Sequence, residues 1–295
     1  MRRLQFVWIF LIISISACGQ IASPESKPDS AILTSTPLLA DITRSIAGDS
    51  FPVESLLPIG ADPHGYQPTP RDIARVADST LLIINGAGYE HFLESLLENA
   101  GGDRELIEAS AGISVREDAN GIDPHIWLDP NNVIIYVENI REALTHYDPE
   151  GAAVYKSNAD AYITELNDLN AWITEQVSQI PAEKRLLVTN HEALGYFAEQ
   201  YDFIIAGTIL KSFSSGASPS ASQMADLIDL INSSGAPAIF LDASDNALLA
   251  QQIVNETGVS LVTDLHLESL TDGPPAGTYI DMMKHNVMLI VDALK

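Results

Sequence analysis

The chain has 295 residues, 46% of them hydrophobic, with 40 acidic against 15 basic side chains and a formal net charge of −25. That length supports a large packed core, arranged as one large domain or two lobes. So acidic a surface excludes nucleic acid as a partner and attracts cations. The single cysteine excludes a disulfide framework, a CxxC redox pair and a thiolate metal cluster.

Met1-Arg2-Arg3 followed by the apolar run Leu4 to Ile15 reads as a secretory signal over residues 1–17, too short for a membrane span. It ends in Ile15-Ser16-Ala17-Cys18, which resembles a bacterial lipobox and implies cleavage before Cys18 and acylation of that cysteine. Cleavage removes two arginines and no acid, taking the formal charge from −25 to −27. Residues 18–30, rich in Ser and Pro, read as a lipidated tether.

From residue 31 to 147 short apolar runs alternate with helical patterns. Strands are predicted at Ala31 to Ser35, Phe51 to Leu57, Leu81 to Ile84 and Leu106 to Ala109. Helices are predicted after Thr36-Pro37, after Thr69-Pro70-Arg71-Asp72 and over Tyr89 to Asn99, the first two opened by an N-cap residue and a proline. Ser110 to Asp123 reads as a short loop. Asp129-Pro130 starts a helix running to about His146, with Val133, Ile134, Val137, Ile140 and Leu144 at helical spacing. Residues 148–180 then form one long helix with no interior proline, spanning roughly 45 Å, enough to bridge two lobes.

A second alternating unit fills residues 181–295. Its strands are predicted at Leu186 to Thr189, Phe203 to Ala206, Ala238 to Leu241 and Val259 to Val262. Its helices cover Glu192 to Gln200, Pro219 to Asn232, Ala247 to Glu256 and a last one ending at Leu294, after a Gly/Pro-rich loop from Asp264 to Gly277. The plan is α/β: two lobes, each a mostly parallel sheet flanked by helices, joined by one long rigid helix.

Three histidines share a context. The tripeptide Asp-Pro-His occurs at Asp62-Pro63-His64 and at Asp123-Pro124-His125, and its proline stiffens the loop that carries each histidine. His64 follows the second strand, His125 lies after the fourth, and His191 ends the first strand of the second unit. Imidazole is the commonest nitrogen ligand for zinc and related metals, and three imidazoles need a fourth group to complete a tetrahedron. Asp264, His266 and Glu268, in the loop after the last strand, are the candidates. His91, His146 and His285 lie within predicted helices and read as surface or packing residues. His191-Glu192 opens like the zinc-protease motif HExxH, but residue 195 is Gly; there is no nucleophile elbow, P-loop or GxGxxG either.

Six ordered motifs carry a family resemblance. They are Gly60-Ala61-Asp62-Pro63-His64 with Pro68-Thr69-Pro70, Asn85 to Glu90, Asp123 to Pro130, Asn190 to Phe197, Leu267 to Leu270 and Ala276 to Met283. Together they cover residues 31 to 295 and resemble the cluster A-I, or ZnuA/TroA-like, metal-binding lipoproteins of ABC transporters. The resemblance implies a metal held between two lobes by His64, His125, His191 and an acid before a Ser-Leu pair, here Glu268 where many relatives carry Asp. Asp264 is the second choice for that position and His266 the third. It further implies a permease partner, a lipid anchor outside the cytoplasmic membrane and no enzymatic activity, and nothing in the sequence suggests more than a monomer.

Three imidazoles and one carboxylate favour Zn2+ over Mn2+. Two features point the other way: there is no His-rich loop between the first two ligand histidines, and Ala276 to Met283 resembles members from manganese systems. A zinc hydrolase with Glu268 as general base is the competing class, opposed by the missing catalytic motifs. An adhesin role is neither supported nor opposed by the residues.

Overall fold

In the computed structural model, which describes residues 31–216 and 218–295, two four-stranded parallel sheets are built in succession. The signal sequence, the tether and Cys18 lie outside the described residues. The first sheet comprises β1 (Ile32–Thr34), β2 (Val53–Ser55), β3 (Leu81–Ile84) and β4 (Glu105–Glu108), in the order β2-β1-β3-β4. A short antiparallel hairpin follows, β5 (Glu117–Asp118) with β6 (Gly121–Ile122). The second sheet comprises β7 (Leu186–Thr189), β8 (Ile204–Thr208), β9 (Ala238–Asp242) and β10 (Ser260–Leu265), in the order β10-β9-β7-β8.

Strands without polar alternation need cover on both faces, and helices supply it here. In the first lobe α2 (Pro70–Asp78) and α3 (Leu93–Ala100) cover one face, where Leu82 and Ile84 meet Val76 and Leu96. In the second lobe α7 (Ala221–Ser234) and α8 (Leu248–Thr257) do the same, where Ile239 and Leu241 meet Leu227, Ile231 and Ile253. The opposite faces share a single core. Leu81 and Ile83 of the first sheet join Ala238 and Phe240 of the second in one continuous cluster with α1 (Pro37–Ala47), α4 (Pro130–Tyr147), α6 (Gly195–Gln200) and α9 (Tyr279–Leu294).

The long element α5 (Ala152–Val177) runs through that shared core. At 1.5 Å per residue its 26 residues span about 39 Å. It packs against α1 and α4 of the first lobe and α9 of the second. Tyr155, Ala159, Tyr162, Leu166, Leu169, Ile173 and Val177 form its buried stripe, three or four residues apart as a helical contact face requires.

Several predicted boundaries shift for identifiable reasons. The helix expected from Tyr89 begins only at Leu93, because Gly86, Ala87 and Gly88 all take positive φ and the Glu90 carboxylate folds back onto the Asn85 and Gly86 amides. The helix expected from Glu192 begins at Gly195, since the Glu192 amide donates to Ser212 O instead. The hairpin β5–β6 was not expected within Ser110 to Asp123. The caps at Thr36, Thr69 and Asp129 form as read, with a full capping box at Thr69. No helix among the described residues is long and apolar enough to cross a membrane.

Because both lobes share one core along α5, damage to that helix should be felt by both. Leu166→Ala, at a fully buried position, is expected to lower stability by about 2–5 kcal/mol. Urea unfolding followed by far-UV dichroism and by tryptophan fluorescence should shift together; unfolding of one lobe alone would contradict the shared core.

Candidate metal centre

Four buried side chains meet where the two lobes face each other. His64 comes from the loop after β2, His125 from the segment after β6, His191 from the residues directly after β7, and Glu268 from the segment after β10. All lie beyond carboxyl ends of strands or in the connections that leave them, where open α/β sheets place ligands.

The donor atoms converge on a small volume. Glu268 Oε1 lies 3.1 Å from His64 Nε2, 3.5 Å from His125 Nε2 and 2.8 Å from His191 Nε2. His125 Nε2 and His191 Nε2 are 3.4 Å apart. A tetrahedral ion with bonds of about 2.1 Å needs donors about 3.4 Å apart. The measured edges straddle that value, so an ion enters by small side-chain adjustments.

Each donor is held from behind in a different way. The Asp123 carboxylate accepts both the His125 amide, at 3.0 Å, and His125 Nδ1, at 2.9 Å. Pro124 O accepts from the Asn85 side chain, which is itself bound by Tyr136. Asp62 occupies the corresponding place before His64 and accepts its amide at 2.9 Å. It does not reach the ring, and among the described residues the buried His64 Nδ1 has no hydrogen-bond partner. The two Asp-Pro-His copies therefore share a backbone turn but not a ring contact. The His191 carbonyl accepts from Thr189. On either side of Glu268, Leu267 O accepts from the Trp127 indole at 2.7 Å and Ser269 Oγ accepts from the Gly60 amide at 2.8 Å. The Leu267 amide donates to Asp242.

These surroundings set the charges. Burial alone would raise the Glu268 carboxyl, but hydrogen bonds from the three histidines hold it well below the ordinary carboxylate range. Burial likewise opposes a charge on His125, yet Asp123 and Glu268 outweigh it and raise that ring to about 9. A ring with a carboxylate at each nitrogen is an imidazolium, both of its nitrogens donating. A proton on His125 thus partly offsets the buried charge of Glu268.

Asp264 and His266, the other candidates for the fourth position, stand outside this group and form a separate cluster with His285. The reason is strand length: β10 continues to Leu265, so Asp264 is still in the strand, and Asn286 clasps the His266 backbone through both its amide and its carbonyl. Asp123 had been noted only for its place before a proline. Its contact with the His125 amide follows from the repeat, since an Asp two residues before a His can reach that residue's amide, but its contact with the ring does not, because Asp62 in the same repeat lacks it. Arg116, 3.6 Å from Asp123 Oδ2, gave no sequence signal. It is brought there by the hairpin and by Tyr196, whose hydroxyl accepts the Arg116 amide and donates to Asp123 O. Gly195 leaves room for this pair: a Cβ there would lie 2.6 Å from Asp123 Oδ2 and 2.8 Å from Arg116 Nε.

Two lobes, a long shared helix and a buried three-histidine, one-carboxylate centre between them define a metal-binding solute receptor of the ABC-transporter type. Comparison with known proteins agrees. Residues 32–293 match the family model for the periplasmic zinc-uptake complex component A, and the chain belongs to that family. The family comprises solute-binding proteins of metal transporters, not enzymes. The chain is 35% identical over 301 residues to the manganese-binding lipoprotein MntA of Halalkalibacterium halodurans, covering all of this chain and 99% of that one. It is 34% identical over 282 residues to the iron-binding protein YfeA of Yersinia pestis, covering 94% of this chain and 90% of that one. Among solved structures it is similar to the periplasmic zinc-binding protein TroA of Treponema pallidum, with a TM-score of 0.84, 28% identity and coverage of 90% of this chain and 99% of that one.

Two outcomes are expected of the centre. With His125 raised to about 9, metal uptake at pH 7.5 displaces a proton, and affinity keeps rising with pH toward about 9 where a free imidazole would level off near 6.5. Calorimetry in buffers of different ionisation enthalpy measures that release, and its absence would contradict the assignment of charge. Asp123→Asn removes the charge behind His125 and is expected to weaken metal binding by about 10–100-fold without unfolding the chain, read by chelator competition.

Proposed function

We propose that the protein is a lipid-anchored, extracytoplasmic receptor that captures a divalent transition-metal ion between its lobes and delivers it to an ABC permease. The ligands are His64, His125, His191 and Glu268, and the favoured cargo is zinc. One observation carries the reading: three imidazole nitrogens and one carboxylate oxygen from both lobes lie within 4.8 Å of one another, the carboxylate oxygen 2.8–3.5 Å from each imidazole. That is a borderline donor set, at which zinc binds more tightly than manganese by the Irving–Williams order. Anchoring rests on the lipobox at Cys18 and on the lipoprotein relative. The chain acts as a monomer joined to the membrane through its acylated cysteine.

Manganese is the second reading, favoured by the likeness to a manganese-binding lipoprotein and by the missing His-rich loop. Manganese needs more oxygen donors than one, which Glu268 supplies by binding through both carboxylate oxygens. A competition separates the two. The purified chain, stripped of metal, is dialysed against equal zinc and manganese, and both are measured by mass spectrometry. About one zinc held at this centre, lost in Glu268→Ala, is the expected result. Preferential manganese would reassign the cargo, and binding of neither would sink the receptor reading.

A further inference from the structure

The strand that leads to Glu268 carries a second constellation of metal-binding side chains, on the surface. Asp264 stands near the end of β10, His266 just beyond it, and His285 on α9. Their donor atoms lie within 4.8 Å of one another. His285 Nε2 is 3.3 Å from Asp264 Oδ2, and His266 Nε2 is 3.8 Å from Asp264 Oδ1. Bonds of about 2.1 Å place donors about 3.0 Å apart around an octahedral ion and about 3.4 Å apart around a tetrahedral one. A modest rotation of the exposed Asp264 side chain brings these separations into that range.

The two rings are not loose surface groups. Their side chains are only 12% and 17% exposed, and the rings pack 5.5 Å apart. Asn286, adjacent to His285 on α9, accepts the His266 amide at 2.8 Å and donates to the His266 carbonyl at 2.6 Å. One helix thus supplies one ring and fixes the backbone of the other. Asp264, 64% exposed, presents one carboxylate oxygen to each ring.

We propose that Asp264, His266 and His285 form a second binding site for a divalent transition-metal cation, separate from the buried centre. Two imidazoles and one carboxylate on one side, with water completing the shell, suit zinc, nickel, cobalt or copper(II). The set does not suit calcium or magnesium, which need mostly oxygen donors. In the metal-free chain His285 Nε2 donates its proton to Asp264 O at 2.8 Å. On binding, the ring takes the tautomer protonated at Nδ1, and Nε2 turns its lone pair to the ion. The site is open to solvent and has three protein ligands. It binds more weakly than the buried centre and exchanges its ion directly with water, without any displacement of the lobes.

The test uses the full chain and zinc chloride alone. Equilibrium dialysis over rising free zinc is expected to show about two ions per chain, the second the weaker. His285→Gln and Asp264→Asn should each abolish the second step and leave the first, whereas Glu268→Ala should abolish the first and leave the second. Asp264 is exposed, so its variant keeps the test valid even if His285→Gln perturbs α9. A single ion in the parent chain, or a second ion that survives both His285→Gln and Asp264→Asn, would overturn the assignment.

Discussion

Everything at the centre depends on one buried charge. Glu268 carries a carboxylate that is almost wholly withdrawn from solvent. An isolated ion in that position costs several kcal/mol, so it persists only where opposite charge and hydrogen bonds surround it. The three imidazoles supply both, two from the first lobe and one from the second. The four ligands therefore join the lobes, and a proton and a metal compete for the same small space. The Trp127–Leu267 and Gly60–Ser269 hydrogen bonds serve this constraint, since each ties the chain beside Glu268 to the opposite lobe.

The same constraint explains the inequality of the two Asp-Pro-His copies. Asp123 backs the His125 ring and shares its charge with Arg116, whereas Asp62 stops at the backbone of His64 and turns its other oxygen to Ser215. His125 is thus the fixed, strongly basic member of the set. His64, with an unpartnered Nδ1, is the one whose ring is aimed mainly by packing against Tyr89 and by its contact with Glu268.

Much of this was legible in the residues. The strand runs around Leu81 to Ile84 and Ala238 to Leu241 announce sheets covered on both faces, and the uninterrupted helical stripe from Tyr155 to Val177 announces the bridge. The three histidines stand out because proline and strand ends hold them in place. What was not legible depends on contacts between distant segments. Asp264, His266 and Glu268 are told apart in the sequence only by the Ser-Leu pair after Glu268, and the three extra residues of β10, Thr263 to Leu265, are what keep Asp264 in the strand. The β5–β6 hairpin has too few residues to show alternation, and Arg116 reaches Asp123 through Tyr196, which lies 80 residues away. His285 reads as a packing residue until α9 lies along β10.

The common core along α5 has a further consequence, for discrimination. A receptor with separable jaws rejects a wrong guest by failing to close on it. Here the jaws are fused along one helix and one hydrophobic cluster. Discrimination by closure is then limited, and the donor set itself ranks copper(II) above zinc and zinc above manganese. By that ranking, copper(II) in surplus occupies the centre ahead of zinc.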